Sequence, residues 1–330
     1  MTLNQNRNYS DVTAMADVAF SYAPAKIILG GEHAVVYGQS ALALAIDRGV
    51  RVAVSRVSHA NGPILRAINL GFVGEVRPDP QGQGPKVLRE ALSKLRELIG
   101  ADAQDLLITV DSDVPVGCGL GSSAALSVAL LRGIHRFFGR NLSKENEAEL
   151  ALDLEKIFHG NPSGIDHTVI SAGGLICYKR SEQKLLIDHI SPGRKLKFAI
   201  GMAGQHAGTA RAVSALKERS RRHPDIYGRI FSTIGDVVEQ MKFCVQEGKL
   251  AALGELMDVN QGLLNSLGVS TPKLEALCSI ARERGALGAK LTGAGGGGAV
   301  IALVDDDPQY IVEAFQAAGY MAFATELEKV

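Results

Sequence analysis

A chain of 330 residues, 46% hydrophobic and 21% charged, is long enough for two domains and apolar enough to fold without disulfides or a structural metal. Lys plus Arg and Asp plus Glu number 35 each. That balance excludes bulk binding to nucleic acid or to an anionic membrane, since both need a basic excess. Four cysteines (118, 177, 244 and 278) form no Cys-x-x-Cys pair, and no His-Glu-x-x-His occurs, so neither a zinc site nor a redox pair is expected. Free thiols, no apolar signal core and no run of 18 apolar residues read as a cytoplasmic chain.

Residues 1–17 read as a loose polar arm. Apolar strands with a short helical stretch are expected from Val18 to Val54. Within this span, Ala41 to Ile46 is small and uniformly apolar and suits a buried helix, whereas Arg51 to Val57 alternates like a strand. Gly82 to Gly84 marks a turn. Lys86 to Ile99 places Val87, Leu88, Ala91, Leu92, Leu95 and Ile99 on one helical face. Leu106 to Val110 suits a strand. A helix apolar almost all round, and therefore buried, follows Ser123 and ends near Phe138. Further helices are expected over Glu145–Phe158, Ala210–Arg221, Tyr227–Gln246, Leu250–Leu267, Pro272–Arg284 and Tyr310–Ala318. Strands are expected over Gly173–Tyr178, Phe198–Met202 and Ala299–Val304, with Gly285–Gly298 as a glycine-rich interruption. A composition shift near residue 195 marks the domain boundary, giving units 18–195 and 196–330 after the arm.

Glycine is in excess, 37 residues against roughly 7% of an average chain, and it is clustered. Gly117-Cys-Gly-Leu-Gly-Ser-Ser-Ala-Ala125 stands at the start of a helix. Glycines admit close backbone approach, and helix N-terminal N–H groups favour anions, so the segment suits a phosphate. It is not a Walker A loop, because no Lys follows the last glycine. Ser122 and Ser123 also suit plain helix capping.

Glu155-Lys-Ile-Phe-His-Gly-Asn-Pro-Ser-Gly-Ile-Asp166 sets two carboxylates either side of a forced turn. They could divide metal binding and base chemistry, although an Asp at such a place is also a common N-cap. Lys290-Leu-Thr-Gly-Ala-Gly-Gly-Gly-Gly298 spells G-x-G-x-x-G. A strand follows it and none clearly precedes it, so the dinucleotide reading fails. Close approach to a substrate or to the phosphate loop suits it better than a linker. Lys26, in Ala23-Pro-Ala-Lys-Ile-Ile-Leu-Gly-Gly-Glu-His33, stands at a strand entry among apolar residues. It calls for a carboxylate or phosphate partner unless it simply snorkels to solvent.

The four clusters together resemble the GHMP kinases, the small-molecule kinases named for galacto-, homoserine, mevalonate and phosphomevalonate kinases. Pro115–Ala125 resembles their phosphate loop and Lys290–Gly298 their C-terminal glycine motif. Lys26–Gly38 and the His159-Gly-Asn-Pro-Ser-Gly-Ile-Asp166 string resemble the mevalonate branch. The likeness covers most of residues 20–304. Two departures are minor: Gly30 and Gly31 are doubled, and Ala299 stands where many relatives have Cys.

The resemblance implies an α+β fold of two domains. The N-terminal ATP-binding domain would be like the second domain of ribosomal protein S5, the C-terminal one would be ferredoxin-like, and the site would lie between them. It implies ATP and mevalonate as substrates, Mg²⁺ as cofactor, no nucleic acid or membrane partner, and room for a homodimer. Asp166 would be the general base, with Lys26 beside it and the substrate hydroxyl. Pro115, Gly117, Gly119, Leu120, Gly121, Ser122, Ser123 and Ala124 would hold the phosphates. Ser123 and Glu155 would bind Mg²⁺. Lys26, Glu32, His33, Ser163, Asp166, Thr209 and Gly295 would line the acceptor pocket. Rival readings are phosphomevalonate kinase, a mevalonate 3-kinase, a related decarboxylase, or a non-catalytic regulator that has kept the fold.

Overall fold

The computed structural model describes residues 18–58, 62–70, 72–79, 81–100, 105–159, 164–180, 185–204 and 209–329. The arm over residues 1–17 lies outside them.

Among the described residues the first sheet has seven strands, built around β2 (Ala41–Arg56). β1 (Val18–Gly30) runs antiparallel along nearly all of β2. β5 (Leu106–Ser112) pairs with the second half of β2 and β6 (Leu175–Arg180) with the first. β3 (Ile64–Asn69), parallel to β5, and β4 (Gly74–Val76) extend one side. β7 (Leu185–His189) extends the other. Three helices, α1 (Lys86–Ile99), α2 (Ser122–Phe137) and α3 (Lys144–His159), share a core with β1, β2 and β5. α1 buries Leu88, Ala91, Leu92, Leu95 and Ile99, the face read from its periodicity, but turns Val87 to solvent. α4 (Ile165–Ala172) packs with β1, β2 and β6 in a smaller core.

Ala41–Ile46 is strand, not helix. Leu42, Leu44 and Ile46 face one core while Ala41 and Ala43 face another. With both faces buried, the apolar–polar alternation that marks a strand is absent, and a run of small apolar residues imitates a helix.

The second sheet is antiparallel, in the order β11–β8–β10–β9: β11 (Met321–Leu327), β8 (Leu196–Gly204), β10 (Gly298–Val304) and β9 (Gly288–Thr292). The helices of this half are α5 (Thr209–Arg222), α6 (Pro224–Gln246), α7 (Leu250–Ser266), α8 (Pro272–Glu283) and α9 (Gln309–Ala317). β9 corrects the expectation of a glycine interruption from Gly285 to Gly298: all five of its residues are buried. A strand therefore does precede the G-x-G-x-x-G string. The dinucleotide reading still fails, because β10 rather than a helix follows.

One core unites residues of β1 and β2 (Ile27, Leu29, Leu42, Leu44) with β8, β10 and helices α6–α8. The halves are thus joined by packed apolar surface, which holds any site between them in register. Among the described residues no helix is long and apolar enough to cross a membrane.

Candidate active site

The phosphate-loop candidate leads into α2. Gly121 is the residue before that helix and is left-handed, with φ 73°. A Cβ there would lie 3.1 Å from both Cγ and Cε of Lys26, so glycine is needed for conformation and for space alike. Neither serine caps the helix; Ser122 and Ser123 are its first two residues. Leu120 and Ala124 send their side chains into the two large cores, so they can serve a ligand only through the backbone. Pro115, Gly117 and Gly119 form the loop ahead of them.

Lys26 lies within β1 rather than at its entry, and the residue is 1% exposed. It does not snorkel. Its ammonium donates to the carbonyl of Gly119 at 3.3 Å and lies 2.9 Å from Oδ1 of Asp166. Its own backbone N–H donates to the carbonyl of Leu120 at 3.0 Å. β1 and the glycine loop are therefore tied together at this one residue. Asp166 stands in the first turn of α4, whose N-cap is Gly164 with no side-chain cap, so Asp166 is no capping residue. A third of its side chain is exposed.

Glu155 is buried near the end of α3 and accepts hydrogen bonds from the hydroxyls of Ser123 (3.3 Å) and Ser127 (3.5 Å). Burial, and then the negative charge of Asp166, push its carboxyl up to about 8. A buried carboxyl so placed has use for a cation. Together with the Ser123 hydroxyl it offers two hard oxygen ligands, as suits Mg²⁺, which takes few protein ligands and keeps several waters. Among the described residues no cluster of three or more His, Cys, Asp or Glu forms a metal cage. His167, next to Asp166, is buried and pushed down to about 4, chiefly by desolvation.

The acceptor-side residues divide. His33 is 7% exposed, has φ 61° and donates from Nε2 to the carbonyl of Ala294 at 3.0 Å. Burial lowers its pKa, so the ring is neutral near pH 7. Glu32 is not open to a substrate. Its side chain is fully buried, with Oε1 against the ammonium of Lys290 and Oε2 accepting from Asn260 at 3.1 Å. Gly295 is pressed on Val269, whose carbonyl would lie 2.1 Å from an added Cβ. Thr209 opens α5, its side chain outside the described residues; Ser163 also lies outside them.

The C-terminal glycine motif approaches the phosphate loop directly. A Cβ on Gly293 would stand 3.0 Å from the carbonyl oxygen of Gly119. Lys290, Thr292 and Asn260 escaped the reading of single motifs, although the string itself begins at Lys290. Their partners Ile28 and Glu32 lie more than 220 residues away in sequence, and no periodicity carries such a signal.

Residues 86–174 match the family model described as GHMP kinases N terminal domain, and residues 241–320 the one described as GHMP kinases C terminal. The mevalonate kinase of Pyrococcus furiosus is 35% identical, covering 93% of this chain and 95% of its own. That of Methanothermobacter thermautotrophicus is 39% identical, covering 85% and 88%. The crystal structure of L. major mevalonate kinase in complex with R-mevalonate matches with a TM-score of 0.81 at 27% identity, over 97% of each chain.

Proposed function

The chain belongs to the mevalonate kinases of the GHMP kinase family, and from that membership we propose that it transfers the γ-phosphoryl group of ATP to the primary hydroxyl of (R)-mevalonate. The products are 5-phosphomevalonate and ADP, a step of isoprenoid biosynthesis. The observation that carries the reading is the Lys26–Asp166 pair, set against the glycine loop by the bond from Lys26 to the Gly119 carbonyl.

Phosphoryl transfer asks a protein mainly for positioning and charge neutralisation. The backbone N–H groups of the Gly119–Ser122 segment and the positive end of α2 hold the β- and γ-phosphates. Asp166, with part of its carboxylate open to solvent, accepts the proton of the substrate hydroxyl. The Lys26 ammonium, sealed from water, offsets the charge growing on the acceptor oxygen. Ser123 and Glu155 would hold Mg²⁺, which would offset the negative charge of the phosphates. His33 donates from Nε2 to Ala294 and so presents Nδ1 as an acceptor to the substrate. Glu32 acts from behind His33 as a structural anion. The four cysteines are free and buried, which supports a reducing cytoplasmic setting.

A coupled ADP-release assay with mevalonate, phosphomevalonate, galactose and homoserine tests the reading. Mevalonate should lead by several orders of magnitude in kcat/KM, because a site built for its carboxylate and tertiary hydroxyl rejects substrates that leave those partners unpaired. Equal turnover of any of the other three would overturn it.

A further inference from the structure

Lys290 belongs to the second sheet, yet of the three acceptors for its ammonium one lies in β1 of the first sheet and one in the turn that follows β1. It is fully buried. Its three donors meet three acceptors: the Glu32 carboxylate, the carbonyl of Leu291 at 2.6 Å and the carbonyl of Ile28 at 3.4 Å. Two residues along β9, Thr292 Oγ1 accepts the backbone N–H of Ile28 at 2.8 Å. The N–H and C=O of Ile28 are therefore both taken by side chains of β9. Ile28 is two residues from Lys26, and Glu32 immediately precedes His33. The next residue after Thr292 is Gly293, which abuts Gly119 of the phosphate loop. From behind, α7 holds the same arrangement: Asn260 donates to Glu32 at 3.1 Å, and Gln261 Oε1 accepts the N–H of Leu291 at 2.8 Å.

We propose that Lys290 is a positioning residue for phosphoryl transfer: through Glu32 and the backbone of Ile28 it locks the strand segment that carries Lys26 and leads to His33 onto the glycine motif of the second sheet. The proposal rests on the kinase reading above. Lys290 touches neither substrate nor nucleotide. It fixes the spacing between the Lys26–Asp166 pair, the acceptor-side histidine and the phosphate loop. A misplacement of about 1 Å in such a constellation is enough to lose about 10²-fold in rate. Removing one partner of a buried ion pair also destabilises, whereas removing both charges does so much less. That difference separates positioning from mere stability.

The test uses the full chain as wild type, Lys290→Met and the charge-neutral double variant Glu32→Gln/Lys290→Met. Melting temperature, kcat, both KM values and hydrogen exchange of peptides over residues 24–34 are measured. The single variant should melt lower. The double variant should regain most of the melting temperature but keep kcat at least about 30-fold below wild type and raise KM for mevalonate more than KM for ATP, with faster exchange confined to residues 26–33. A double variant with kcat within about threefold of wild type and unchanged exchange overturns the proposal, as does activity that simply follows the melting temperature. Should wild type fail to phosphorylate mevalonate while the double variant still shows faster exchange at residues 26–33, the kinase reading falls and the lock stands. If Lys290→Met does not fold, the double variant alone decides.

Discussion

The ammonium of Lys26 and the carboxylate of Asp166 are 2.9 Å apart but unequally sheltered: the lysine side chain is 2% exposed and the aspartate 34%. The cation is walled off and the carboxylate is the part open to solvent. Asp166→Asn should therefore keep the fold, because an amide oxygen can still accept from Lys26, while kcat falls about 10²–10⁴-fold, the usual loss for a positioned base. Steady-state kinetics beside a thermal melt checks this. A kcat within about threefold of wild type rejects the role.

Glu155 carries a pH signature. Its carboxyl is raised from 4.5 to about 8 in the folded metal-free protein, so between those values the native state holds a proton that the unfolded chain has released. The native state binds more protons, and stability falls as pH rises through that window. Thermal melts of metal-free protein from pH 5 to pH 8 should show Glu155→Gln gaining on wild type steadily with pH. A constant gap between the two would place the carboxyl in an ordinary environment. The same variant should need more Mg²⁺ for half-maximal rate.

His33 stands where the two halves meet, bonded to Ala294 at 3.0 Å. His33→Ala should raise KM for mevalonate about tenfold or more and KM for ATP by less than about threefold, since it removes an acceptor-side contact and leaves the phosphate cradle alone. Parallel rises in both constants would move His33 out of the acceptor pocket.

Gly293 and Gly319 have the same backbone hand, φ 83° and 84°, but different surroundings. An added Cβ meets the Gly119 carbonyl at 3.0 Å in the first case and nothing within 4 Å in the second. Gly319→Ala should cost about 1 kcal/mol of stability and little activity, the cost of a left-handed alanine alone. Gly293→Ala should add a push on the phosphate loop, raising KM for ATP and lowering kcat by about tenfold or more. Equal kinetics for the two variants would show that the glycine motif does not bear on the loop.

These residues also show what could be read without coordinates. α1 over Lys86–Ile99 follows from its periodicity, because one of its faces meets water and the other a core. Ala41–Ile46 misleads because it is buried on both sides, and β9 because it lies within a glycine-rich stretch. β4 and β7, three and five residues long, give too little pattern to be read, and β3 and β11 escape the reading as well. Lys26, Glu155 and Asp166 stand within local strings that already raise an ion pair and a division of metal and base work, whereas a metal role for Ser123 comes only from the resemblance. The Lys290–Glu32 pair does not: the resemblance sets Glu32 against the acceptor, and its charged partner lies 258 residues ahead. Tertiary pairing of that kind leaves no trace in spacing.

Phosphorus NMR of the product formed from ATP and (R)-mevalonate tests the central claim most directly. The account predicts a single new monoester resonance, coupled to the protons of a primary carbon, appearing in step with ADP. A phosphate on the tertiary oxygen, a diphosphate, or release of carbon dioxide would contradict it and leave only the fold in place.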